Sequence, residues 1–361
     1  MSEAAVHTWE GSTMEVALKI WRVDANGERA LKTYEVEAPE WACLLDVLDI
    51  IKDRHDGTLA YRKSCRMMIC GSCGMRMDGR AILACKERMK PIVDSGHVPV
   101  ISSMGNMPII KDLVVEMAPF WKKIRDVKPW LDPGYDEASE KERVVSQQQM
   151  NVIAKESLCI MCGCCVSECN AMESDPDFRG PAALAKGMRF VGDPRDNIEV
   201  ERLNELNDEH GIWDCTRCYF CNERCPKGVD PRDAIAKLGA ESVRHDITWD
   251  LGAKHANWFV TSAKTTGWLR ETELVPKTQG ILGALKETKF ALALARRGKV
   301  PPPGPIHVAA EVDESRALYK LVKEQGRDGA AGIVQGERGL ARIEHVEAER
   351  THEEAQRDGD S

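Results

Sequence analysis

Fourteen cysteines stand in a chain of 361 residues, and all but Cys43 fall into three tight groups. The first is Cys65-x4-Cys70-x2-Cys73-x11-Cys85. The second is Cys159-x2-Cys162-x2-Cys165-x3-Cys169, and the third is Cys215-x2-Cys218-x2-Cys221-x3-Cys225-Pro226. Thiolates spaced this closely converge on a point, as a metal centre requires. No basic segment followed by an apolar one marks Met1 to Gly11 as a secretory leader. A disulfide framework is therefore not expected, because a reducing compartment keeps thiols free.

The first group has the three-plus-one spacing of a plant-type [2Fe-2S] centre, in which a tight loop supplies three thiolates and a distant residue the fourth. Gly71 and Gly74 interleave these ligands, as expected where backbone wraps close and aims N–H groups at sulfur. Structural zinc is the competing reading, but zinc favours paired C-x2-C knuckles. The other two groups are copies of the bacterial ferredoxin run, in which the fourth cysteine of each run ligates the other run's cluster. Cys159, Cys162 and Cys165 are thus expected to pair with Cys225, and Cys215, Cys218 and Cys221 with Cys169. Cys164 falls out of phase and reads as a buried, non-ligating thiol, as does Cys43 on an apolar helix. No Gly-rich nucleotide loop and no nucleophile constellation accompanies these groups, so the pattern predicts an electron conductor whose chemistry sits on partners.

The elements that position the thiols form two patterns. Val16-Leu18-Ile20-Trp21 and Leu31-Tyr34-Val36 read as strands around a turn at Asp24 to Gly27, and Cys43 to Ile51 as a helix. A short strand at Val98 to Ser102 closes this α+β module, and Lys128 to Gly134 reads as the linker out of it. From about 140 the β signals vanish. Gln147 to Glu156, Ala182 to Phe190 and Pro231 to Val243 read as helices between cysteine loops, followed by Ala253 to Arg270, Gly280 to Arg297 and Glu314 to Glu324. The expected organisation is a [2Fe-2S] ferredoxin domain over 1–130, a helical two-cluster domain over 135–250, a helical docking extension over 251–325 and a disordered tail over 326–361. A formal net charge of −8 argues against a general nucleic-acid binder. No apolar run reaches the roughly 18 residues that span a bilayer.

A [2Fe-2S] domain followed by a two-run ferredoxin domain resembles the iron–sulfur subunit of succinate dehydrogenase and fumarate reductase. The resemblance covers about residues 14–245. It is carried by Tyr61-Arg62-Lys63-Ser64-Cys65-Arg66, Cys159 through Cys165, Gly180-Pro181-Ala182-Ala183, Asp193-Pro194-Arg195-Asp196 and Cys225-Pro226-Lys227-Gly228-Val229-Asp230-Pro231. It implies a β-grasp N-terminal domain, a helical C-terminal domain and docking on an FAD-containing flavoprotein that interconverts succinate and fumarate. It also implies a place at the cytoplasmic side of the membrane, held there as a peripheral member of a complex.

Two departures from familiar relatives concern the third group. Many relatives carry no cysteine where Cys218 stands and hold a [3Fe-4S] cluster on the equivalents of Cys169, Cys215 and Cys221; Cys218 offers the fourth ligand of a second [4Fe-4S]. The aromatic, proline and histidine of the usual quinone site are also absent, with Asn170 to Ser174 after Cys169 and Thr216 after Cys215. The extension is similar to iron–sulfur subunits that dock on a cysteine-rich, heterodisulfide-reductase-like subunit, through Lys254 to Phe259, Gly267 to Glu271 and Arg297 to Pro301. Its stretch Ile281 to Lys299 could lie on an anionic membrane, with packing on a partner the plainer reading. The expected activity is succinate:quinone oxidoreduction. The alternatives are a fumarate reductase driven by thiols or a low-potential donor and, from another class, a free soluble ferredoxin.

Overall fold

The computed structural model describes residues 11–24, 26–133, 144–299 and 307–324. The expected tail therefore lies outside the described residues, as do Ala25 in the first turn and all four prolines after Val300. The chain divides into two compact units. One holds the residues up to Trp130, Ile153–Phe190 and Cys215–Ala234, and so contains all fourteen cysteines. The other holds Leu131–Val152, Val191–Asp214 and the chain from Ile235 onward.

The first unit is built on a five-stranded sheet in the order β2-β1-β5-β3-β4, with β1 at Thr13–Val23, β2 at Arg29–Pro39, β3 at Gly74–Met77, β4 at Arg80–Leu83 and β5 at Val100–Ser102. In β1 the side chains alternate, so Met14, Val16, Leu18 and Ile20 are buried while their neighbours face outward. The helix Leu44–Ile50 packs on this sheet, burying Leu44, Leu45, Val47 and Leu48 as its sequence spacing predicts. Mixed α+β architecture is thus present. Strand β5 lies in the middle of the sheet, parallel to β1 and antiparallel to β3, not at an edge.

The hairpin β3–β4 went unpredicted because each strand has only four residues, although Asp78-Gly79, both at positive φ, is the expected two-residue turn. The short pair Ile109–Lys111 and Val114–Val115 and the helix Ala118–Asp126 went unpredicted as well. Asp112 follows the first of these strands. Its carboxylate, fully buried, accepts the Val23 amide at 2.7 Å and the Ala60 amide at 2.8 Å, and Arg22 lies 3.1 Å away. A charge buried at that depth needs such partners.

The helix expected over Gln147 to Glu156 is two helices, Gln147–Val152 and Ala154–Ser157, parted at Ile153. In the second unit, Arg202 and Asp196 form a buried ion pair at 2.7 Å, and Asp196 also accepts the Asp132 amide at 3.0 Å. The helix Leu251–Thr266 starts on Asp250, whose carboxylate accepts the Gly252 amide, and stops at Gly267 in the left-handed region. The single helix expected from Gly280 is not observed. Glu271–Lys286 is broken at Gly280 (φ 76°, ψ 179°), and Thr288–Arg296 follows as a separate helix.

The helix Pro231–Arg244 carries Glu241, which burial pushes up to about 7 although Arg244 pairs with it; Glu199 lies nearby, its carboxylate 3.3 Å from His245 Nε2. A carboxyl raised in the fold contributes its full stability below its unfolded value and loses it as pH rises through the folded one. Unfolding followed by circular dichroism should therefore show about 2–3 kcal/mol lost as pH rises from about 4.5 to about 7. Glu241→Gln should flatten that slope.

Candidate cluster sites

The loop from Cys65 to Cys73 is folded tightly around its own first thiol. Arg66 (φ 61°), Met68 (φ 60°) and Gly71 (φ 70°) all adopt left-handed backbone, which turns successive amides inward. The Met67, Ile69 and Cys70 amides accordingly donate to Cys65 Sγ at 3.4, 3.4 and 3.3 Å. Burial pushes the Cys70 thiol up, but hydrogen bonds from Ser72 and the Cys65 amide outweigh it and hold Cys70 at about 6. Cys73, carried on the strand side of the loop beside Cys85, is pushed up to about 12 by burial. The loop is tied to the helix Leu44–Ile50. Arg66 reaches Asp46 at 2.8 Å and also Asp49, which further binds Lys63 at 2.7 Å and Tyr61.

The second and third groups share one backbone. Met161 (φ 55°) and Arg217 (φ 57°) take the third place of their runs, and Gly163 (φ 82°) and Tyr219 (φ 66°) the fifth. Each run then enters a one-turn helix, Cys164–Ser167 or Phe220–Glu223, and these two helices pack together. Cys218 therefore occupies in its loop the place that Cys162 has in the other.

The structure brings Cys225 to the run at Cys159, and Cys169 near Cys215 and Cys218. A cavity is lined by Cys159, Cys162, Cys165 and Cys225, with Ile160, Ala182, Ala185 and Val229 among its other lining residues. Cys169 instead lies in the field of Cys215 and Cys218, and Cys221 in that of Cys215, Cys169 and Cys218. Burial first, and then these neighbouring thiols, push Cys221 up to about 12; burial, and then Cys162 and Cys159, push Cys165 well above its ordinary range. Thiols held this close in apolar surroundings resist ionising together. Iron compensates that charge, and metal binding requires the thiolate, so the donor sets fit iron–sulfur clusters. Lys186 and Lys227 add positive charge near Cys159 and Cys162.

The two cysteines read as non-ligating do not line that cavity. Cys164 is fully buried, its thiol kept protonated by its hydrogen bond with Cys162 and by burial, and it faces the Ile82 carbonyl oxygen at 3.7 Å. Cys43 precedes the helix Leu44–Ile50 with its thiol 2.9 Å from Asp46.

Residues 17–122 match the family described as 2Fe-2S iron-sulfur cluster binding domain, and residues 156–229 match the 4Fe-4S dicluster domain. The fumarate reductase iron-sulfur subunit of Haemophilus influenzae is 37% identical over 242 residues, covering 64% of this chain and 93% of that protein. That of Mycobacterium tuberculosis is 38% identical, covering 63% and 92%. The chain belongs to the succinate dehydrogenase and fumarate reductase iron–sulfur subunit family. A solved Sdh1 complex of Mycobacterium smegmatis in the apo form contains a chain that superposes with a TM-score of 0.60 at 25% identity, covering 66% of this chain and 99% of that one. As a member of this family the chain carries a [2Fe-2S] domain and a dicluster domain, as its spacing predicts.

Several residues that hold the groups together were not singled out from the sequence. Arg76, on β3, donates to Glu168 at 2.7 Å and to Ser167 Oγ at 3.1 Å. The Gly105 amide donates to Ser167 Oγ at 2.9 Å, and Asn106 donates to the Val166 and Cys169 carbonyls at 2.8 and 2.9 Å. These partners lie sixty to ninety residues apart, and no local pattern announces them. Gly71 makes the tightest approach. A Cβ added there would stand 2.7 Å from Cys162 Cβ and 2.9 Å from its Cα, so the first loop touches the second group directly.

Gly79 is the matching control, with φ +76° and nothing within 4 Å of an added Cβ. Gly79→Ala should cost about 1–2 kcal/mol, the left-handed penalty alone. Gly71→Ala should cost about 1–3 kcal/mol more through overpacking. Denaturation followed by loss of visible cluster absorbance measures the difference, and equal losses would mean that the two loops are not in contact.

Proposed function

We propose that the chain is the electron-transfer subunit of a succinate:quinone oxidoreductase, passing electrons between an FAD-bearing flavoprotein and a membrane-associated, quinone-reactive partner. In this reading Cys65, Cys70, Cys73 and Cys85 hold a [2Fe-2S] cluster, and Cys159, Cys162, Cys165 and Cys225 a [4Fe-4S] cluster. Cys169, Cys215 and Cys221 hold the third, with Cys218 as its fourth ligand. The observation that carries the reading is the single cavity joining Cys225 to the run at Cys159, because only the cross-paired arrangement of a two-cluster ferredoxin demands it.

Iron–sulfur clusters supply one-electron donors and acceptors, and the chain's own residues do the rest. The amides of Met67, Ile69 and Cys70 stabilise negative charge on Cys65 sulfur, which raises the reduction potential of whatever it binds. Gly71 brings that loop onto Cys162, and Arg76 and Asn106 fix the segment that follows. Met67 and Ile69 are exposed on the loop of the first thiol group, and Tyr219 and Phe220 on that of the third. The flavoprotein would face the first of these, and the membrane-associated partner the second.

Similarity of residues 254–259 and 267–271 to subunits that dock on a cysteine-rich, heterodisulfide-reductase-like protein supports that kind of partner over a haem-bearing anchor. The direction of flow has a second reading. The relatives from Haemophilus influenzae and Mycobacterium tuberculosis are fumarate reductase subunits, and one from Wolinella succinogenes, 32% identical, is named an 8-methylmenaquinol:fumarate reductase subunit.

The purified complex decides between them. Succinate should reduce a quinone analogue; if it does not, while thiols drive fumarate reduction, the fumarate reductase reading replaces the first. Electron paramagnetic resonance tests the third cluster. The native protein should show two [4Fe-4S] signals on reduction and no [3Fe-4S] signal when oxidised, and Cys218→Ser should convert one into the other. Unchanged spectra in the variant would make Cys218 a bystander.

A further inference from the structure

The helices after Gly267 divide into a packed part and an unpacked part. Helix Leu251–Thr266 buries Ala253, Trp258, Ser262 and Thr266, and helix Val312–Glu324 packs on it, with the Ala309 amide on the Thr266 carbonyl at 2.8 Å and Arg316 on that of Thr265 at 2.8 Å. The first turns of Glu271–Lys286 join them, placing Arg270 and Lys277 over the Trp258 ring at 4.8 and 5.5 Å. At Gly280 the helix breaks, and beyond it the apolar side chains lose their cover. Ile281 is 78% exposed, Leu282 77%, Leu285 63%, Phe290 63% and Leu292 51%. No residue of either helix from Glu271 to Arg296 is buried.

Charge on this arm runs against that of the chain. Residues 281–299 carry Lys286, Lys289, Arg296, Arg297 and Lys299 against the single carboxylate of Glu287, in a protein whose formal net charge is −8. Large apolar side chains beside a surplus of cations, with no long apolar span, are the composition of a helix that lies in a bilayer interface. Docking into a folded protein groove asks for something different, a straight apolar ridge recurring every three or four residues. Within the arm, Glu287, where one helix ends and the next begins, interrupts any such ridge. A fluid headgroup layer accepts the irregular spacing.

We infer that residues 281–299 form an amphipathic arm that binds an anionic phospholipid surface, placing Ile281, Leu282, Leu285, Phe290 and Leu292 among the acyl chains and the lysines and arginines among the headgroups. The chain thereby contacts lipid itself, whatever integral partner its complex contains. The contact is independent of the redox reading: vesicle binding reports the arm, and reduction of a quinone analogue reports the electron path.

The test is sedimentation of the cluster-loaded full chain with vesicles of phosphatidylcholine alone or mixed with phosphatidylglycerol. Binding should occur to the mixed vesicles, weaken severalfold as salt is raised and be absent from neutral ones. Leu285→Ser with Phe290→Ser, and separately Lys289→Glu with Arg296→Glu, should each abolish it while leaving the visible spectrum intact. Leu318→Ser, at a similarly exposed site on the packed part, should leave binding unchanged. Failure to bind the mixed vesicles overturns the proposal. So does loss of co-purifying subunits in the Leu285/Phe290 variant with vesicle binding preserved, which would make the arm a protein dock. Self-association through the arm, seen as concentration-dependent sedimentation without lipid, would overturn it as well.

Discussion

Buried sulfur atoms that must share negative charge are the constraint on which the first unit depends. Burial and mutual repulsion raise Cys73 and Cys221 to about 12 and Cys165 well above its ordinary range, so the polypeptide alone holds these groups together only in their neutral form. Ionised, they need a cationic centre, and folding energy and metal binding then become one quantity. The surrounding design follows from that need. Left-handed residues turn amides inward, Lys186 and Lys227 stand near the second group, and apolar walls at Ala182, Ala185 and Val229 keep water from it.

The sheet serves the same end. Its core of Val16, Leu18, Ile20 and the helix Leu44–Ile50 gives a rigid base from which Asp46 and Asp49 hold Arg66 and Lys63, fixing one side of the first loop. Arg76 from β3 and Asn106 from the segment after β5 reach the segment after Cys165. Loops with so little regular structure keep one shape because each is bound at both ends by groups with no freedom of their own.

The cysteine spacing was legible because ligands on a tight loop must recur at fixed short intervals, and the alternation in β1 and the apolar face of Leu44–Ile50 because local period reports burial. What was not legible is long-range. Asp112 looks like an ordinary turn residue, yet it joins Val23 to Ala60, and Arg76 looks like a surface residue on a strand too short to detect. The extended helix expected from Gly280 failed for a different reason. Apolar periodicity alone did not weigh the conformational freedom of that glycine, which ends one helix before another begins. At Gly71 the sequence suggested close approach to sulfur; the backbone approaches the neighbouring loop as well.

The two ferredoxin runs are interleaved: Cys225 closes the cavity of the run that precedes it by more than fifty residues, and Cys169 stands with the run that follows. Neither pocket is complete until both stretches of chain have been synthesised and brought together. During biogenesis, then, iron delivered to one pocket would recruit the missing wall of the other. A half-loaded intermediate should therefore be scarce.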